Sequence, residues 1–345
     1  MTTNCRAGAM PAICRGLASA CTCTFNAINL LRIVTNEAPD TILRLFNGHS
    51  MVGKLEYVLV CSPRSAGWNQ PERAARWREL GFHHPPDFKA AQAEHEEMCR
   101  QLEAAGAEVV ESPPALDLSL DAVYAHDALF PTDFGLIVMR PGKANRMPEG
   151  KHQRSFCSRL GNAIPFVSPD ANFFMTTKIV PPGTTEAGDM IWLDEKTLLI
   201  GHGFRTNAAG IAQMRDLLAP RGVQVLSAPL PYGPGPSACL HLMSLISLLD
   251  EHTALVDLPW LAVETMELLR SRGYNFVEID YSERETLACN VLSLGERRLL
   301  ALEENRKTNQ KLRDTGFHVS TFPGSELCIN GGGGPTCLTR PLQRS

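Results

Sequence analysis

The residues best suited to chemistry in this chain are a cysteine behind four glycines and several charged residues upstream of it. Cys337 closely follows the run Gly331–Gly334 near the end of the sequence. Consecutive glycines weaken regular structure and leave backbone N–H groups uncrowded, so a ligand can come close. A cysteine at the rim of such a loop is a candidate nucleophile. The alternative is a flexible linker in front of a buried cysteine.

A thiol needs a neighbouring base or cation to be nucleophilic near neutral pH. His241 could act as acid and base, and Glu186 could orient it or stabilise its charge. Asp127 and Glu186 would receive a cationic group, while Arg146 and Arg205 would bind a carboxylate through paired hydrogen bonds. The set therefore suits a zwitterionic substrate.

Each of these residues also has a structural interpretation when it is taken singly. Asp127 could cap a turn, and His241 lies in an apolar stretch where a buried core histidine is common. Arg146 and Glu149 have the spacing of a surface i,i+3 ion pair. Arg205 could simply flank a helix cap. The chemistry is predicted by the set and not by any one member.

Composition narrows the class of protein. The chain has 345 residues, of which 44% are hydrophobic and 20% charged, as in globular proteins with one large or two ordinary domains. A net charge of −4 argues against a nucleic-acid partner, and no apolar run approaches the ~18 residues of a membrane span. Eleven cysteines without paired Cys-x-x-Cys spacing indicate reduced thiols in the cytoplasm. No metal-ligand spacing occurs, so no metal is expected.

Residues 1–50 differ from the rest of the chain. Up to Asn36 they contain Arg6, Arg15 and Arg32 but no acidic residue. This composition is compatible with a mitochondrial transit peptide, and equally with a disordered extension upstream of Met51. We therefore divide the chain into an N-terminal extension, 1–50, and one α/β domain, 51–345.

From Met51 onward a helix-like stretch repeatedly ends in glycine and gives way to a strand. Glycine just past a helix end is the expected left-handed cap, and a strand within a few residues makes each instance an αβ unit. The glycines lie 55, 61, 51 and 43 residues apart. They are Gly106, Gly161, Gly222, Gly273 and Gly316. Five units at a near-constant period predict pseudo-fivefold repetition.

Individual elements follow from local patterns. Asp87 caps a predicted helix over Phe88–Ala105, and Pro259 is placed in the first turn of a helix over Trp260–Arg272. A strand is expected at Ala163–Val167, after Gly161. No Gly-x-Gly-x-x-Gly motif follows a strand, so a dinucleotide site has no support.

Several motifs, taken in order, resemble those of the amidinotransferase (guanidine-modifying) superfamily, and within it the dimethylarginine dimethylaminohydrolases. The resemblance covers about 295 residues, from Met51 to the end. The motifs are Pro86-Asp87-Phe88 with Ala91 and His95; Arg140-Pro141-Gly142 with Arg146; Thr185-Glu186-Ala187-Gly188-Asp189-Met190; Arg205-Thr206-Asn207-Ala208 with Gly210; Leu240-His241-Leu242; Ala288-Cys289-Asn290; and the glycine run ending in Cys337-Leu338.

The resemblance implies a fold and a set of roles. The fold is a five-bladed α/β-propeller, in agreement with the fivefold period. Carried over by position, Cys337 is the nucleophile, His241 the general acid and base, and Glu186 its neighbour beside the substrate guanidinium. The remaining roles are substrate binding: the guanidinium by Asp127, the α-carboxylate by Arg146 and Arg205, and the amino end by Asp121.

The implied reaction is hydrolysis of a (methyl)arginine-like guanidine through a covalent thiouronium, giving citrulline and an amine without metal or organic cofactor. Two features depart from the family pattern. His126 stands where an acidic residue is expected, directly before the guanidinium-binding Asp127. The loop Ser65–Pro85 is longer than expected and is a candidate substrate lid.

Two alternatives stay open, and two others are disfavoured. An amidinotransferase would pass the amidino group to an amine, and a non-catalytic guanidine-binding protein could use the same scaffold. An arginine deiminase is disfavoured because such enzymes carry His-x-Asp, whereas His241 is followed by Leu242-Met243. A papain-like protease does not fit, since its cysteine precedes its histidine. The expected partner is a small guanidine, and a homodimer is left open.

Overall fold

The computed structural model describes Met1 and residues 46–162, 177–233, 235–236 and 240–345. From Phe46 onward the described residues belong to one compact unit, Leu43–Ser345. Most of the predicted extension 1–50, and the strand predicted at Ala163–Val167, lie outside the described residues. Phe46 and His49 are buried, so described contacts with the domain begin before Met51; the boundary between residues 50 and 51 stays a prediction.

Fifteen strands and eight helices are formed by the described residues, joined by short turns. The strands are β1 (Leu55–Val60), β2 (Glu108–Glu111), β3 (Leu129–Thr132), β4 (Gly135–Val138), β5 (Thr177–Lys178), β6 (Met190–Asp194), β7 (Thr197–His202), β8 (Gln224–Pro229), β9 (Ile246–Asp250), β10 (Thr253–Val256), β11 (Asn275–Glu278), β12 (Leu292–Gly295), β13 (Arg298–Leu302), β14 (His318–Phe322) and β15 (Thr339–Arg344). The helices are α1 (Pro71–Ala74), α2 (Trp77–Leu80), α3 (Phe88–Ala104), α4 (Glu149–Asn162), α5 (Ala208–Leu218), α6 (Val263–Ser271), α7 (Arg306–Asp314) and α8 (Pro335–Leu338).

These strands make five three-stranded sheets with one shared internal pattern. In each, the middle strand is antiparallel to one neighbour and parallel to the other. The sheets are β15–β1–β2, β3–β4–β5, β6–β7–β8, β9–β10–β11 and β12–β13–β14. A helix connects each middle strand to its parallel partner, as a parallel connection requires. The α/β class and the repeated αβ unit are thereby confirmed.

Glycines end the helical segments as predicted at four of the five repeats. Gly106, Gly222, Gly273 and Gly316 have φ values of 92°, 76°, 84° and 89°, the left-handed region that favours glycine. Gly161 differs, because α4 runs one residue further, to Asn162.

The helix predicted over Trp260–Arg272 is shorter than expected. Pro259 lies in a separate 3₁₀ turn, and α6 begins only at Val263. Leu261, between the two, has extended backbone and is buried in the same apolar cluster as the helix residue Leu269. Tertiary burial of that leucine therefore interrupts the helix that the local pattern favours.

Apolar side chains are divided among five buried clusters, and polar bonds connect neighbouring sheets. Ser247 Oγ in β9 donates to the carbonyl of Cys289, just before β12, at 2.6 Å. Arg344 Nη2 in β15 donates to the carbonyl of Ser293 in β12 at 2.9 Å. Strand ends from different sheets are thus brought together. No helix in the described part of the chain is both long and apolar enough to cross a membrane.

Candidate active site

One pocket gathers most of the predicted site, and we call it the thiol pocket. It encloses about 350 Å³, counting its open mouth. Its lining residues are Asp121, Tyr124, Asp127, Lys143, Arg146, Arg205, His241, Gly331, Gly332, Gly333 and Cys337. Six of the seven predicted site residues are among them. The seventh, Glu186, is fully buried and contacts His241.

A buried carboxylate holds the imidazole of His241. Its Nε2 lies 2.7 Å from Glu186 Oε2, and its Nδ1 lies 4.0 Å from Asp127 Oδ1. Burial acts to raise the pKa of Glu186, but the hydrogen bond to His241 outweighs it, so the pKa lies below its ordinary value. Glu186 is therefore an ionised acceptor, and His241 Nε2 donates to it. His241 is buried, as the core interpretation required, yet it is bound as an acid–base group would be.

Asp127 and Arg146 form a buried ion pair, with Arg146 Nη1 donating to Asp127 Oδ2. Burial alone would raise the pKa of Asp127, but the charges of His241 and Arg146 hold it well below its ordinary range. Arg146 also binds Glu149 through two bonds of 2.9 and 2.8 Å and the carbonyl of Tyr124 at 2.8 Å. The i,i+3 pair of Arg146 and Glu149 is thus present but buried, and not on the surface.

Gly188 allows His241 and Asp127 to approach each other. A Cβ on Gly188 would lie 2.6 Å from His241 Nδ1 and 2.8 Å from Asp127 Oδ1. The Gly188 N–H donates to Asp127 Oδ1 at 2.9 Å. The next residue, Asp189, accepts from the N–H of Leu242 at 3.0 Å, which fixes the turn that His241 begins. Burial raises the pKa of Asp189 to about 7, although His241 opposes the shift.

Cys337 lies in the short helix α8 and is partly exposed. Asn290 Nδ2 is 3.1 Å from its sulfur, and Asn290 Oδ1 accepts from the N–H of Thr336 at 3.0 Å. The Ala288-Cys289-Asn290 motif was noted from sequence, but no role for Asn290 was predicted. By contrast, burial raises the pKa of Cys328, at the other end of the glycine loop, well above its ordinary value.

The glycines of the loop are needed for contact with protein as much as with a ligand. A Cβ on Gly331 or Gly333 would overlap Tyr124, and one on Gly334 would lie 2.8 Å from Asn290 Oδ1. Three glycines of the loop, Gly331, Gly332 and Gly333, still line the thiol pocket. The sequence predicts that the glycines let a ligand come close. The structure shows that they also let Tyr124 and Asn290 come close.

Asp121 has a cationic partner that the sequence did not point to. Lys143 Nζ lies 3.5 Å from Asp121 Oδ2 and donates to the carbonyl of Leu80 at 3.1 Å. Asn145 Nδ2 donates to the same Asp121 oxygen at 2.9 Å. Lys143 lies within the Arg140–Arg146 motif but is not one of its named residues. Only the tertiary contact with Asp121 therefore identifies it as a site residue.

Arg205 lies beside the buried Glu186, with Nη1 3.6 Å from Oε1. Thr206 Oγ1 accepts from the N–H of Glu186 at 3.1 Å. Asn207 caps α5 by accepting from Gly210 at 2.8 Å. Arg205 thus flanks a helix cap, as the structural interpretation had it, and also lines the pocket.

The two departures from the family pattern are placed differently from expectation. His126 is buried, its Nδ1 lies 2.8 Å from the carbonyl of Thr339, and it does not line the thiol pocket. In the loop predicted as a lid, Trp68 is buried and donates to the carbonyl of Leu120. Phe82, from the same loop, packs near Gly331. The loop thus packs behind a glycine that lines the pocket, and its role as a lid stays a prediction.

One group of described residues has ligand atoms close enough for a metal ion: Asp127, Glu186 and His241, within 4.8 Å of one another. Both carboxylates already face arginines, Arg146 and Arg205. A divalent cation would be repelled by these charges and would have to displace existing bonds. The donor set fits an acid–base cluster better than a metal centre.

Sequence comparison relates the chain to enzymes that act on guanidines. A family model described as arginine deiminase matches residues 258–344. The dimethylarginine dimethylaminohydrolase of Streptomyces coelicolor is 28% identical over 247 residues, 70% of this chain and 82% of that protein. The chain is therefore similar in sequence to enzymes named for reactions on arginine and methylarginine. The resemblance predicted from sequence is confirmed.

Structural comparison places the fold in the same group. The dimethylarginine dimethylaminohydrolase of Pseudomonas aeruginosa, solved with citrulline, has a TM-score of 0.64 at 22% identity. It covers 83% of this chain and 99% of its own. The amidinotransferase SxtG of Microseira wollei has a TM-score of 0.68 at 18% identity and covers 87% and 97%. At these identities the likeness establishes the fold alone.

Proposed function

We propose that the chain is an amidinohydrolase that cleaves the guanidine C–N bond of a (methyl)arginine-like substrate, giving citrulline and an amine. The observation that carries the proposal is the grouping of Cys337 with an imidazole, His241, that lies between Glu186 and Asp127. The similarity to a dimethylarginine dimethylaminohydrolase over 82% of that protein supports the same reaction.

The reaction has two covalent steps. The Cys337 thiolate adds to the guanidinium carbon, the C–N bond to the leaving amine breaks, and His241 protonates that amine. The result is an S-alkylthiouronium. His241 then takes one proton from water, whose oxygen adds to the same carbon. The C–S bond breaks to release the ureido product and the thiolate, and the second proton passes to solvent.

The charged residues have separate roles in this proposal. Glu186 keeps Nε2 of His241 protonated, so that proton exchange with the substrate takes place at Nδ1. Asp127 and Glu186 stabilise the planar cation, and Arg205 with Arg146 binds the α-carboxylate. Most N–H groups of Arg146 are already bonded to protein, so Arg205 supplies the larger share of that contact.

Asp121 was expected to receive the amino end of the substrate. Because Lys143 and Asn145 already contact this carboxylate, an α-ammonium group would meet a neighbouring cation. We infer that Lys143 weakens the binding of a free α-amino group, so guanidino acids that lack it belong in the substrate panel beside the arginines.

A guanidine panel with product mass spectrometry tests the function. It includes dimethyl-, monomethyl- and unmodified arginine and shorter guanidino acids. A ureido product that disappears in Cys337→Ser and His241→Ala is expected. Full activity in Cys337→Ser would end the proposal.

Three alternatives give different outcomes in the same experiment. An amidinotransferase, represented by SxtG among the fold neighbours, would give a new guanidine only when an amine acceptor is present. A non-catalytic binding protein would be stabilised thermally by arginine analogues without forming any product. If unmodified arginine is the only substrate and ammonia is released, the result favours arginine deiminase activity. The arginine deiminase family model matches residues 258–344.

We also propose that the five sheets are the blades of a five-bladed α/β-propeller. Contacts between successive sheets support a ring: the Arg140–Thr185 bridge, the Leu242–Asp189 bond and the bond from Arg340 to the Leu129 carbonyl at 3.3 Å. The pairing of β15 with β1 joins the two ends of the described domain. An experimental structure with a gap between two neighbouring sheets would contradict the ring.

The remaining proposals concern the whole chain. We propose a cytoplasmic enzyme with a domain at 51–345, and mitochondrial import as the alternative if residues 1–36 act as a transit peptide. N-terminal sequencing of the native protein distinguishes the two. The homodimer stays a prediction that light scattering tests.

A further inference from the structure

A second cavity adjoins the chain segments that carry two thiol-pocket residues. It is lined by His126, which precedes Asp127, and by Thr336, which precedes Cys337. Arg340 and Arg344 of β15 line it as well. We call it the basic cavity; the space open to the centre of a water-sized molecule is about 30 Å³, which suits a small ion.

The cations of this cavity have no carboxylate partner. No acidic residue is among its lining residues in the described chain, and neither arginine forms an ion pair there. Among the described residues, Arg340 donates to the carbonyls of Pro341, His126 and Leu129, and its guanidinium carbon lies 5.9 Å from the centre of the Phe130 ring. Arg344 donates only to the carbonyls of Gly53 and Ser293.

Both guanidinium groups are nevertheless buried, with 6% of each residue exposed. Burial lowers the pKa of Arg340 to about 9 and that of Arg344 to about 10. The negative charge of Asp127 acts to raise the pKa of Arg340, but Asp127 is itself bonded to Arg146. Two buried positive charges without a counter-charge are costly, because attraction to an opposite charge normally offsets desolvation.

Hydrogen-bond donors on the same wall also lack partners. Thr336 and Trp192 are lining residues, and their buried atoms Oγ1 and Nε1 make no hydrogen bond to described residues. His126 Nε2 is likewise unpartnered, while Nδ1 faces the Thr339 carbonyl. Buried polar groups are nearly always paired, so several unpaired groups around one space indicate a missing partner.

We propose that the basic cavity binds a small anion, a halide or a short carboxylate, between the guanidinium groups of Arg340 and Arg344 and the donors Thr336 and Trp192. An anion accepts from every N–H and O–H present and supplies the missing negative charge. Water supplies hydrogen bonds but no net charge. The proposal does not depend on the reaction at Cys337.

Bromide is the first probe, because its anomalous scattering distinguishes it from water. Crystals of the full chain are soaked in sodium bromide, with a soak in sodium formate as the carboxylate arm. An anomalous peak within hydrogen-bonding distance of Arg340 or Arg344 is expected. Ordered water alone in the cavity, in both soaks, overturns the proposal.

Thermal unfolding in solution is the second measurement. The melting temperature is followed in sodium chloride, in sodium formate, and in sodium gluconate, whose anion is too large for the cavity, at equal ionic strength. A bound anion raises the melting temperature in proportion to the logarithm of its concentration once the site is occupied. We expect this rise with chloride or formate and not with gluconate; the more effective anion identifies the source.

Two matched variants assign the effect to the cavity. Thr336→Val removes a hydroxyl that contributes to anion binding and should reduce the salt-specific rise. Thr265→Val is the control, because Thr265 is also buried with an unpartnered hydroxyl but does not line the cavity. It should stabilise the protein equally in all three salts.

The same variants define the results that would contradict an anion site. If Thr336→Val stabilises the protein equally in chloride, formate and gluconate, its hydroxyl has no anion to bind and the proposal is wrong. A bromide peak without any salt-specific rise in melting temperature means binding at crystal concentration only, which equally rejects a site in solution.

Discussion

The two cavities carry positive charge in opposite ways. In the thiol pocket every cation faces a carboxylate: Arg146 faces Asp127, Arg205 faces Glu186 and Lys143 faces Asp121. In the basic cavity the two arginines face backbone carbonyls, and Arg340 also faces the Phe130 ring, with no carboxylate partner among the described residues. The two spaces nevertheless share chain segments, since consecutive residues line one cavity and then the other.

This difference shows what each cavity is suited to bind. Paired charges in the thiol pocket hold one another in fixed positions and can exchange a partner with a zwitterion without leaving a bare charge. Unpaired charges in the basic cavity suit a permanent counter-ion. Changes in the first cavity should therefore alter catalysis, and changes in the second should alter stability.

The largest effect is expected from the thiol itself. Cys337→Ser should lower kcat at least about 10³-fold, since the hydroxyl is a far weaker nucleophile. Steady-state kinetics on the best substrate of the panel measures it. Cys328→Ala is the matched control, because that thiol is buried and should leave the turnover of the folded enzyme unchanged. An equal fall of kcat in both variants would contradict the assignment of Cys337 as the nucleophile.

The next effect tests the paired charges directly. Glu186→Gln keeps the shape but removes the charge that holds His241, so kcat should fall about 10²- to 10³-fold with an altered pH profile. Arg344→Met makes the matched change in the basic cavity and should change stability while turnover per folded molecule is kept. A loss of turnover in Arg344→Met similar to that in Glu186→Gln would erase the proposed division.

Asp189 makes stability depend on pH. Its pKa is raised by burial to about 7, so between roughly pH 4 and pH 7 the folded chain keeps a proton that the unfolded chain releases. The free energy of unfolding should therefore fall as pH rises, at up to about 1.4 kcal/mol per pH unit. Urea unfolding across this range should show a shallower fall in Asp189→Asn. An unchanged slope would assign the dependence to other groups.

The smallest effect concerns selectivity within the thiol pocket. Lys143→Met leaves Asp121 without its lysine, so an α-ammonium group should bind better, with KM falling about 10-fold for free amino acids. Guanidino acids without the amine should gain nothing. Arg140→Met is the control, a nearby cation of the same motif that bonds to the Gly183 carbonyl. If both classes of substrate respond alike, Lys143 has no part in selectivity.

Most of the architecture could be predicted from the sequence. Glycine-ended helices and hydrophobic strands are local signals, and the αβ unit that they predict recurs in the five sheets of the structure. The helix over Trp260–Arg272 was wrong at its start because burial of Leu261 is a tertiary effect. The Asp87 cap of α3 was predicted correctly because a cap is made within three residues.

The site was predicted less evenly. Cys337, His241 and Glu186 were named from residue type, order and resemblance, and the last two meet at 2.7 Å. Lys143 and Asn290 were missed as site residues, since neither has a distinctive local pattern and each acts across 22 or 47 positions. His126 was expected to influence the substrate but belongs to the basic cavity.

By itself, the sequence determined the αβ repeat and predicted the class of chemistry and the candidate thiol, because these follow from residue type, short-range pattern and order along the chain. Only the tertiary structure decided which charges are paired. Asp127 meets Arg146, Asp121 meets Lys143, and Arg340 meets no carboxylate. Pairing depends on distances between residues far apart in the chain, and those distances are set when neighbouring sheets pack together.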